Sequence, residues 1–136
     1  MVSLKKFKRI LILSGGISEE RDISQSSANH VYQTIKNEAT TEILDVSDNA
    51  EQLLMNIQKF NPDVIFNCLH GYFGEDGQIQ SILNYLKIPY THSGVLTSAI
   101  LMNKIISKKL FQSLGIRSPE FLSCLLYTSD AADDKQ

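Results

Sequence analysis

Apolar residues along the chain follow two different spacings. Uninterrupted or alternating apolar runs occupy residues 9–14, 40–46 and 63–68, and each is followed by polar or glycine-rich residues. Short runs of this kind, bounded by turn residues, are typical of strands in a parallel sheet that is covered on both faces. The sequence therefore predicts three buried strands, and a shorter extended segment at 88–90 predicts a fourth.

Between these runs, apolar residues recur every three or four positions, which predicts amphipathic helices. One helix is expected over 22–36 and another between the polar cluster 47–49 and the stop at 61–62. A third helix follows residue 77, and a last helix over 102–114 ends at Gly115. Residues 95–100 form a further segment to which the pattern assigns no secondary structure. Residues 116–121 are expected to be extended. The positions expected to face the core in the first three helices are Ile23, Ser27, Ala28, Val31, Ile35, Leu53, Leu54, Ile57, Phe60, Ile79, Ile82, Leu83 and Leu86.

The order of these elements is β-α-β-α-β-α-β, followed by a helix. Strands that alternate with helices indicate an α/β fold with a parallel sheet. Because the strands are apolar throughout, helices must cover both faces. We therefore predict a doubly wound, Rossmann-like domain with a C-terminal helix.

Composition narrows the classes of partner. A length of 136 residues is enough for one domain with a buried core. The net charge of −2 gives no electrostatic reason to expect nucleic acid or an anionic membrane as a partner. No apolar run approaches the ~20 residues that a membrane span needs. Cys68 and Cys124 lack pairing or metal-ligand spacing, which favours a reducing cytoplasm, and Cys68 is expected to be a small core residue.

Two polar loops, 15–24 and 69–80, each follow a predicted strand. The carboxyl ends of neighbouring parallel strands meet at one edge of a sheet, so both loops should face the same crevice. Gly15 and Gly16 before a helix would suit a phosphate, but the nucleotide-binding glycine motifs are missing and the acids Glu19 and Glu20 would repel it. A carboxylate in one loop and the imidazole of His70 in the other would suit the ammonium and carboxylate of an amino acid.

Structural roles could also explain these residues. Carboxylates at 19–20 and at 75–76 would each stabilise the positive N-terminal end of the following helix. A single histidine at the end of a strand is often structural. The acids and His70 form no convincing set of metal ligands, so no metal site is predicted.

Four segments together resemble D-alanine–D-alanine ligases, a family of three-domain ATP-grasp enzymes. They are GGISEERDIS (15–24), LHGYFGEDGQIQ (69–80), IPYTHSGVLTSA (88–99) and MNK (102–104). The resemblance implies an enzyme that joins two D-alanines for peptidoglycan synthesis. ATP would convert the first D-alanine to an acylphosphate, which the amine of the second attacks. His92 departs from the pattern, since the family usually has a small residue, often glycine, at that position.

The resemblance also implies roles for individual residues. Glu20 would be the active-site acid near the ammonium of the first D-alanine, and His70 would face its carboxylate. Ser24 would stand at the start of the helix and cap it. Lys104 would contact phosphate. The positions that would shape the two loops are Gly15, Gly16, Ser24, Glu75, Asp76 and Gly77.

The resemblance divides the chain into an N-terminal substrate-binding domain (1–101), the beginning of the ATP-grasp region (102–121) and a non-native or disordered tail (122–136). The complete enzyme would bind ATP and Mg²⁺ and form a homodimer in the cytoplasm, whereas this chain alone is expected to bind neither cofactor tightly and to be inactive. Two alternatives stay open. The chain could come from a D-alanyl-D-lactate or D-alanyl-D-serine ligase, or it could be a non-catalytic amino-acid-binding domain.

Overall fold

The computed structural model describes residues 7–122, and the predicted tail from residue 123 onward lies outside this range. A parallel sheet at its centre contains β1 (Arg9–Gly15), β2 (Thr40–Val46) and β3 (Val64–Asn67) in the order β2-β1-β3. The central strand β1 pairs along its length with β2 and from Ile10 to Leu13 with β3. All three predicted strands are present within one residue of the expected ends.

Within residues 7–122, two helices lie between the strands and three follow the last strand. They are α1 (Arg21–Ile35), α2 (Ala50–Phe60), α3 (Gln78–Tyr85), α4 (Val95–Met102) and α5 (Lys104–Ser113). The start of α2 was predicted from its cap cluster, and the side chain of Asn49 indeed accepts a hydrogen bond from the amide of Gln52 at 2.9 Å. Its end is at Asn61, which adopts a left-handed conformation with φ 49°.

The core has two layers, one on each face of the sheet. On one face, Leu11 and Leu13 of β1 belong to a cluster with buried residues of α2 and α3. On the other face, Ile10 and Ile12 pack with Ala28 and Ile35 of α1. Successive side chains of a strand point to opposite faces, so β1 supplies both layers. The α/β fold with helices on both faces is confirmed.

A fourth strand was predicted at 88–90, and this prediction is wrong in extent. The segment makes only one parallel bridge, between Ile65 and Tyr90, outside the named strands. The amide of Ile65 donates to the carbonyl of Pro89 at 2.8 Å, and the amide of Thr91 donates to the carbonyl of Ile65 at 3.0 Å. Pro89 cannot donate to a ladder, and the left-handed Lys87 and His92 bound the segment, so pairing stops after one bridge. Residues 116–121 also form no strand.

Two side chains were assigned to the wrong face of a helix. Ile23 is 56% exposed in α1, whereas its neighbour Ser24 is fully buried. The side chains of α1 that face the core are those of Ser24, Ala28, Val31 and Ile35. At the start of the helix this row is shifted by one residue from the predicted row, which began at Ile23. Leu54 is similarly 36% exposed, while Leu53 and Ile57 fill the core of α2.

The C-terminal part contains two helices where one and an unassigned segment were expected. Asn103 separates them, because its side chain accepts hydrogen bonds from the amides of Ile105 and Ile106 and thereby caps α5. The helix therefore begins at Lys104 and not at Met102. Gly115, with φ 69°, follows its C-terminal end as predicted.

Cys68 is 5% exposed and has no disulfide partner among the described residues. Burial raises the pKa of its thiol to about 11. The expectation that Cys68 is a core residue is confirmed. Across residues 7–122, no helix is both long and apolar enough to cross a membrane.

Candidate functional site

The two polar loops meet at the carboxyl edge of the sheet. Loop one (residues 16–20) leaves β1, and loop two (residues 68–77) leaves the adjacent strand β3. The hydroxyl of Ser18 donates a hydrogen bond to the carbonyl oxygen of His70 at 2.7 Å. The two loops therefore lie in contact at this edge of the sheet, as expected from neighbouring parallel strands.

Glu20 lies where the two loops come closest. Its carboxylate oxygen Oε2 would be only 2.9 Å from a Cβ atom on Gly71. Gly71 also has φ 67°, in the left-handed region that favours glycine. The carboxylate of Glu20 thus rests against loop two, one residue beyond His70, and remains exposed.

His70 is half-buried between loop two and α1. Its ring nitrogen Nε2 lies 3.4 Å from the hydroxyl oxygen of Ser27. Glu20 is the N-cap residue of α1, whereas Ser27 lies inside the same helix, so the carboxylate stands at the end of α1 and the imidazole stands beside it. Glu20 contacts Gly71, which follows His70 in the chain.

The glycine at position 15, the last residue of β1, is explained by an ion pair that sequence reasoning missed. Arg21 forms a salt bridge with Asp45 and donates to the carbonyl oxygens of Gly16 and Val46 at 3.0 and 3.2 Å. A Cβ on Gly15 would lie 2.0 Å from the Asp45 carboxylate and 2.6 Å from the Arg21 guanidinium. The space beside Gly15 is therefore filled by side chains of this chain.

The acids of loop two hold its own backbone. Glu75 accepts a hydrogen bond from the amide of Gly71 at 2.8 Å. Asp76 accepts from the amides of Phe73 and Gln78 at 2.9 and 3.1 Å. Gly77, with φ 97°, is the N-cap residue of α3, and a Cβ there would lie 2.9 Å from the carbonyl oxygen of Val95.

The capping role predicted for Ser24 is wrong. Glu20 is the N-cap residue of α1, and its side chain makes no capping hydrogen bond. Ser24 lies one turn inside the helix, where its amide donates to the carbonyl oxygen of Glu20 at 3.0 Å. Its hydroxyl oxygen is buried and has no hydrogen-bond partner within the described part of the chain. A serine after an acid-rich turn resembles a cap in sequence, but the helix begins three residues earlier.

Two buried side-chain amides that flank loop two, one in β3 and one in α3, were also missed. The side-chain nitrogens of Asn67 and Gln80 both donate to the carbonyl oxygen of Gly74, at 2.9 and 2.8 Å. Asn67 Oδ1 accepts from the amide of Leu69 at 3.1 Å, and its Nδ2 lies 3.3 Å from Nδ1 of His92. These two amides hold the backbone of loop two at Gly74. The sequence signal that could have indicated them is a polar residue within an otherwise apolar stretch.

Lys104 is exposed and begins α5, and Asn103 sets its position through the cap. A pocket of about 340 Å³ lies between loop two and α4 and is lined by Glu75, Gln80, His92, Ser93, Ser98, Leu101 and Met102. Of the residues predicted for the site, Glu75 lines this pocket, while Glu20 and His70 do not. In the range 7–122, no three His, Cys, Asp or Glu side chains are grouped so that they could hold a metal ion.

Fold and site together define an open α/β domain with two polar loops in contact at the carboxyl ends of its strands, where domains of this class bind ligands. The family described as D-ala D-ala ligase N-terminus matches residues 44–93. The chain is 53% identical over 116 residues to the D-alanine–D-alanine ligase of Pelagibacter ubique, covering 85% of this chain and 37% of that protein. It is 49% identical over 112 residues to the corresponding ligase of a Wolbachia endosymbiont of Brugia malayi, covering 82% of this chain and 32% of the relative.

Solved structures agree with the sequence matches. A crystal structure of D-alanine–D-alanine ligase from Bacillus anthracis complexed with ATP superposes with a TM-score of 0.75 at 33% identity, covering 83% of this chain and 37% of that one. The chain is therefore a relative of the D-alanine–D-alanine ligases and corresponds to their N-terminal region. It spans about a third of the length of the relatives that it matches.

Proposed function

We propose that this chain forms the part of a D-alanine–D-alanine ligase that holds the first D-alanine. The complete enzyme would join two D-alanines in an ATP-dependent reaction through an acylphosphate, and the dipeptide would enter peptidoglycan. The similarity to named ligases supports the reaction, and the two loops support the role of this region.

The observation that carries the proposal is the contact between the two loops. Glu20 places a carboxylate against Gly71, the residue that follows His70 in the chain. A carboxylate attracts an ammonium group, and a protonated imidazole attracts a carboxylate, each by a charge-assisted hydrogen bond. The two side chains therefore match the two ends of a zwitterionic amino acid. Glu20 is the proposed substrate-binding and active-site acid, and His70 is the proposed partner of the substrate carboxylate.

The remaining site residues have supporting roles in this proposal. Gly15, Gly16, Glu75, Asp76 and Gly77 shape the loops. Ser24 lies in the first turn of α1 and contributes there as a packed residue.

Phosphoryl transfer requires positioned cations around the phosphates. Lys104 is the residue of this chain proposed to approach phosphate. Because the resemblance is to ATP-grasp enzymes, we propose that ATP and Mg²⁺ are held mainly by the ATP-grasp region of the complete enzyme. We accordingly place the substrate-binding domain at 1–101 and the start of the ATP-grasp region at 102–121, and we expect the 136-residue chain alone to form no dipeptide.

The relatives reported above are named as D-alanine–D-alanine ligases, which favours this substrate pair over D-lactate or D-serine as second substrate. An amino-acid-binding domain without catalysis would need the same loops. It is distinguished by the experiment that follows.

The test is a chimera in which residues 7–121 replace the matching segment of the Pelagibacter ubique ligase. We expect ATP-dependent formation of D-alanyl-D-alanine within tenfold of the parent enzyme. The control is the parent enzyme lacking that segment, which should be inactive. A soluble, folded chimera that forms no dipeptide would contradict the proposed function. A product containing D-lactate or D-serine in preference to a second D-alanine would contradict the proposed reaction.

A further inference from the structure

Ser18 is a residue to which neither the sequence analysis nor the loop contacts assigned a function. It lies in loop one, two residues before Glu20, and is half-buried. Its hydroxyl makes two hydrogen bonds in opposite senses. It donates to the carbonyl oxygen of His70 at 2.7 Å and accepts from the amide of Glu20 at 3.2 Å.

These two bonds connect the residues proposed to hold the substrate. The first fixes the peptide group that joins His70 to Gly71, and the second fixes the backbone that carries Glu20. A Cβ on Gly71 would lie 3.3 Å from Cβ of Ser18 and 2.9 Å from the Glu20 carboxylate, so the three residues are packed closely. A shift of either loop would therefore change the separation between the carboxylate and the imidazole.

A second side-chain contact of loop two, made with α1, is longer. The hydroxyl oxygen of Ser27 lies 3.4 Å from Nε2 of His70, which is a weak hydrogen-bond distance. That contact reaches the imidazole ring itself, which is also needed for the substrate. Ser18 instead acts on the backbone and leaves the ring and the carboxylate free to bind a ligand.

We propose that Ser18 is a positioning residue for D-alanine, which sets the distance between Glu20 and His70 through its two hydrogen bonds; this rests on the function proposed above. A hydroxyl both donates and accepts, so one side chain can bind a carbonyl in loop two and an amide in loop one. Alanine removes both bonds and lets the loops move independently. Movement of either loop would weaken the charge-assisted hydrogen bonds proposed to hold the two ends of the amino acid, so we expect D-alanine binding to weaken about tenfold.

The experiment uses the active chimera and four variants at two positions. Ser18→Ala should raise the apparent KM for D-alanine about tenfold, while kcat at saturating D-alanine and the KM for ATP change less than twofold. Ser18→Thr keeps the hydroxyl and should restore a KM within threefold of the unmodified chimera. Ser18→Cys keeps the shape with a weaker donor and should fall between them. Ser26→Ala, at an exposed serine on α1, is the matched control and should leave KM unchanged.

Thermal unfolding of every variant separates positioning from general destabilisation. If Ser18→Ala does not fold, the apparent KM values of Ser18→Thr and Ser18→Cys are compared instead. Both side chains fill the space of the serine, and they differ mainly in whether they carry a hydroxyl. An equal KM for all Ser18 variants would overturn the proposal while leaving the proposed function intact. A fall in kcat with unchanged KM would also overturn it. Loss of activity in the unmodified chimera would instead reject the proposed function.

Discussion

Replacing Gly71 with alanine would place a methyl group between the two loops of the site. Gly71 has φ 67°, and a non-glycine residue in this left-handed region costs about 1–2 kcal/mol. The new Cβ would also lie 2.9 Å from Glu20 Oε2, so the carboxylate would have to retreat by about 0.5 Å to reach an ordinary contact distance. We expect Gly71→Ala both to lower stability and to weaken D-alanine binding about tenfold.

Gly115 provides a matched control for this experiment. It has a similar φ of 69°, but a Cβ there would meet no atom within 4 Å. Gly115→Ala should therefore carry the same backbone cost of about 1–2 kcal/mol without affecting the site. Urea unfolding of the 136-residue chain gives the two stability changes, and the apparent KM for D-alanine in the chimera gives the effect on the site. Equal KM values for both variants would refute the inferred closeness of Glu20 to Gly71.

Three further results are expected. Two backbone amides at the entry to β1 donate hydrogen bonds to the carboxylate of Asp63 and hold its pKa below the usual 3.8. The carboxylate therefore stabilises the fold above pH 3.8, and this stabilisation is lost as the pH falls through the lowered pKa. Asp63→Asn should accordingly lower Tm at pH 7 but not in strong acid. Cys68, with its pKa raised to about 11, should resist alkylation by iodoacetamide at pH 8 until the chain is unfolded, which peptide mapping distinguishes from reaction at Cys124. Asn103→Ala should cost about 1 kcal/mol in urea unfolding, whereas Asn103→Asp, which keeps the capping acceptor, should cost much less.

The strands were predictable because each depends on a local pattern. The apolar run at residues 9–14 requires cover on both faces, and β1 indeed supplies a separate core layer to each. The cap at Asn49 and the stop at Asn61 were predictable for the same reason, since both act on their own helix. The error at Ile23 arose because two helical stripes one residue apart fit nearly the same apolar spacing, and only tertiary packing selects between them.

The unpredicted features are contacts between residues far apart in the chain. The pair formed by Arg21 and Asp45 joins α1 to β2, and the link from Ser18 to His70 joins the two loops. No periodicity encodes such pairs, so a single sequence indicates polar residues but not their partners. Asn67 shows the same limit, since its amide could be recognised as polar but not as the support of loop two.

The role of Glu20 and His70 as the two halves of an amino-acid site is the central claim. It is tested most directly by kcat/KM for D-alanine in the chimera carrying Glu20→Gln or His70→Ala, with ATP saturating. Loss of a charge-assisted hydrogen bond of about 1.5–3 kcal/mol predicts a fall of roughly 10- to 150-fold for each variant. The unmodified chimera and the exposed Ser26→Ala variant should be equal in the same assay. Values of kcat/KM that stay within twofold of the unmodified chimera in both variants would contradict the claim and remove both residues from the site.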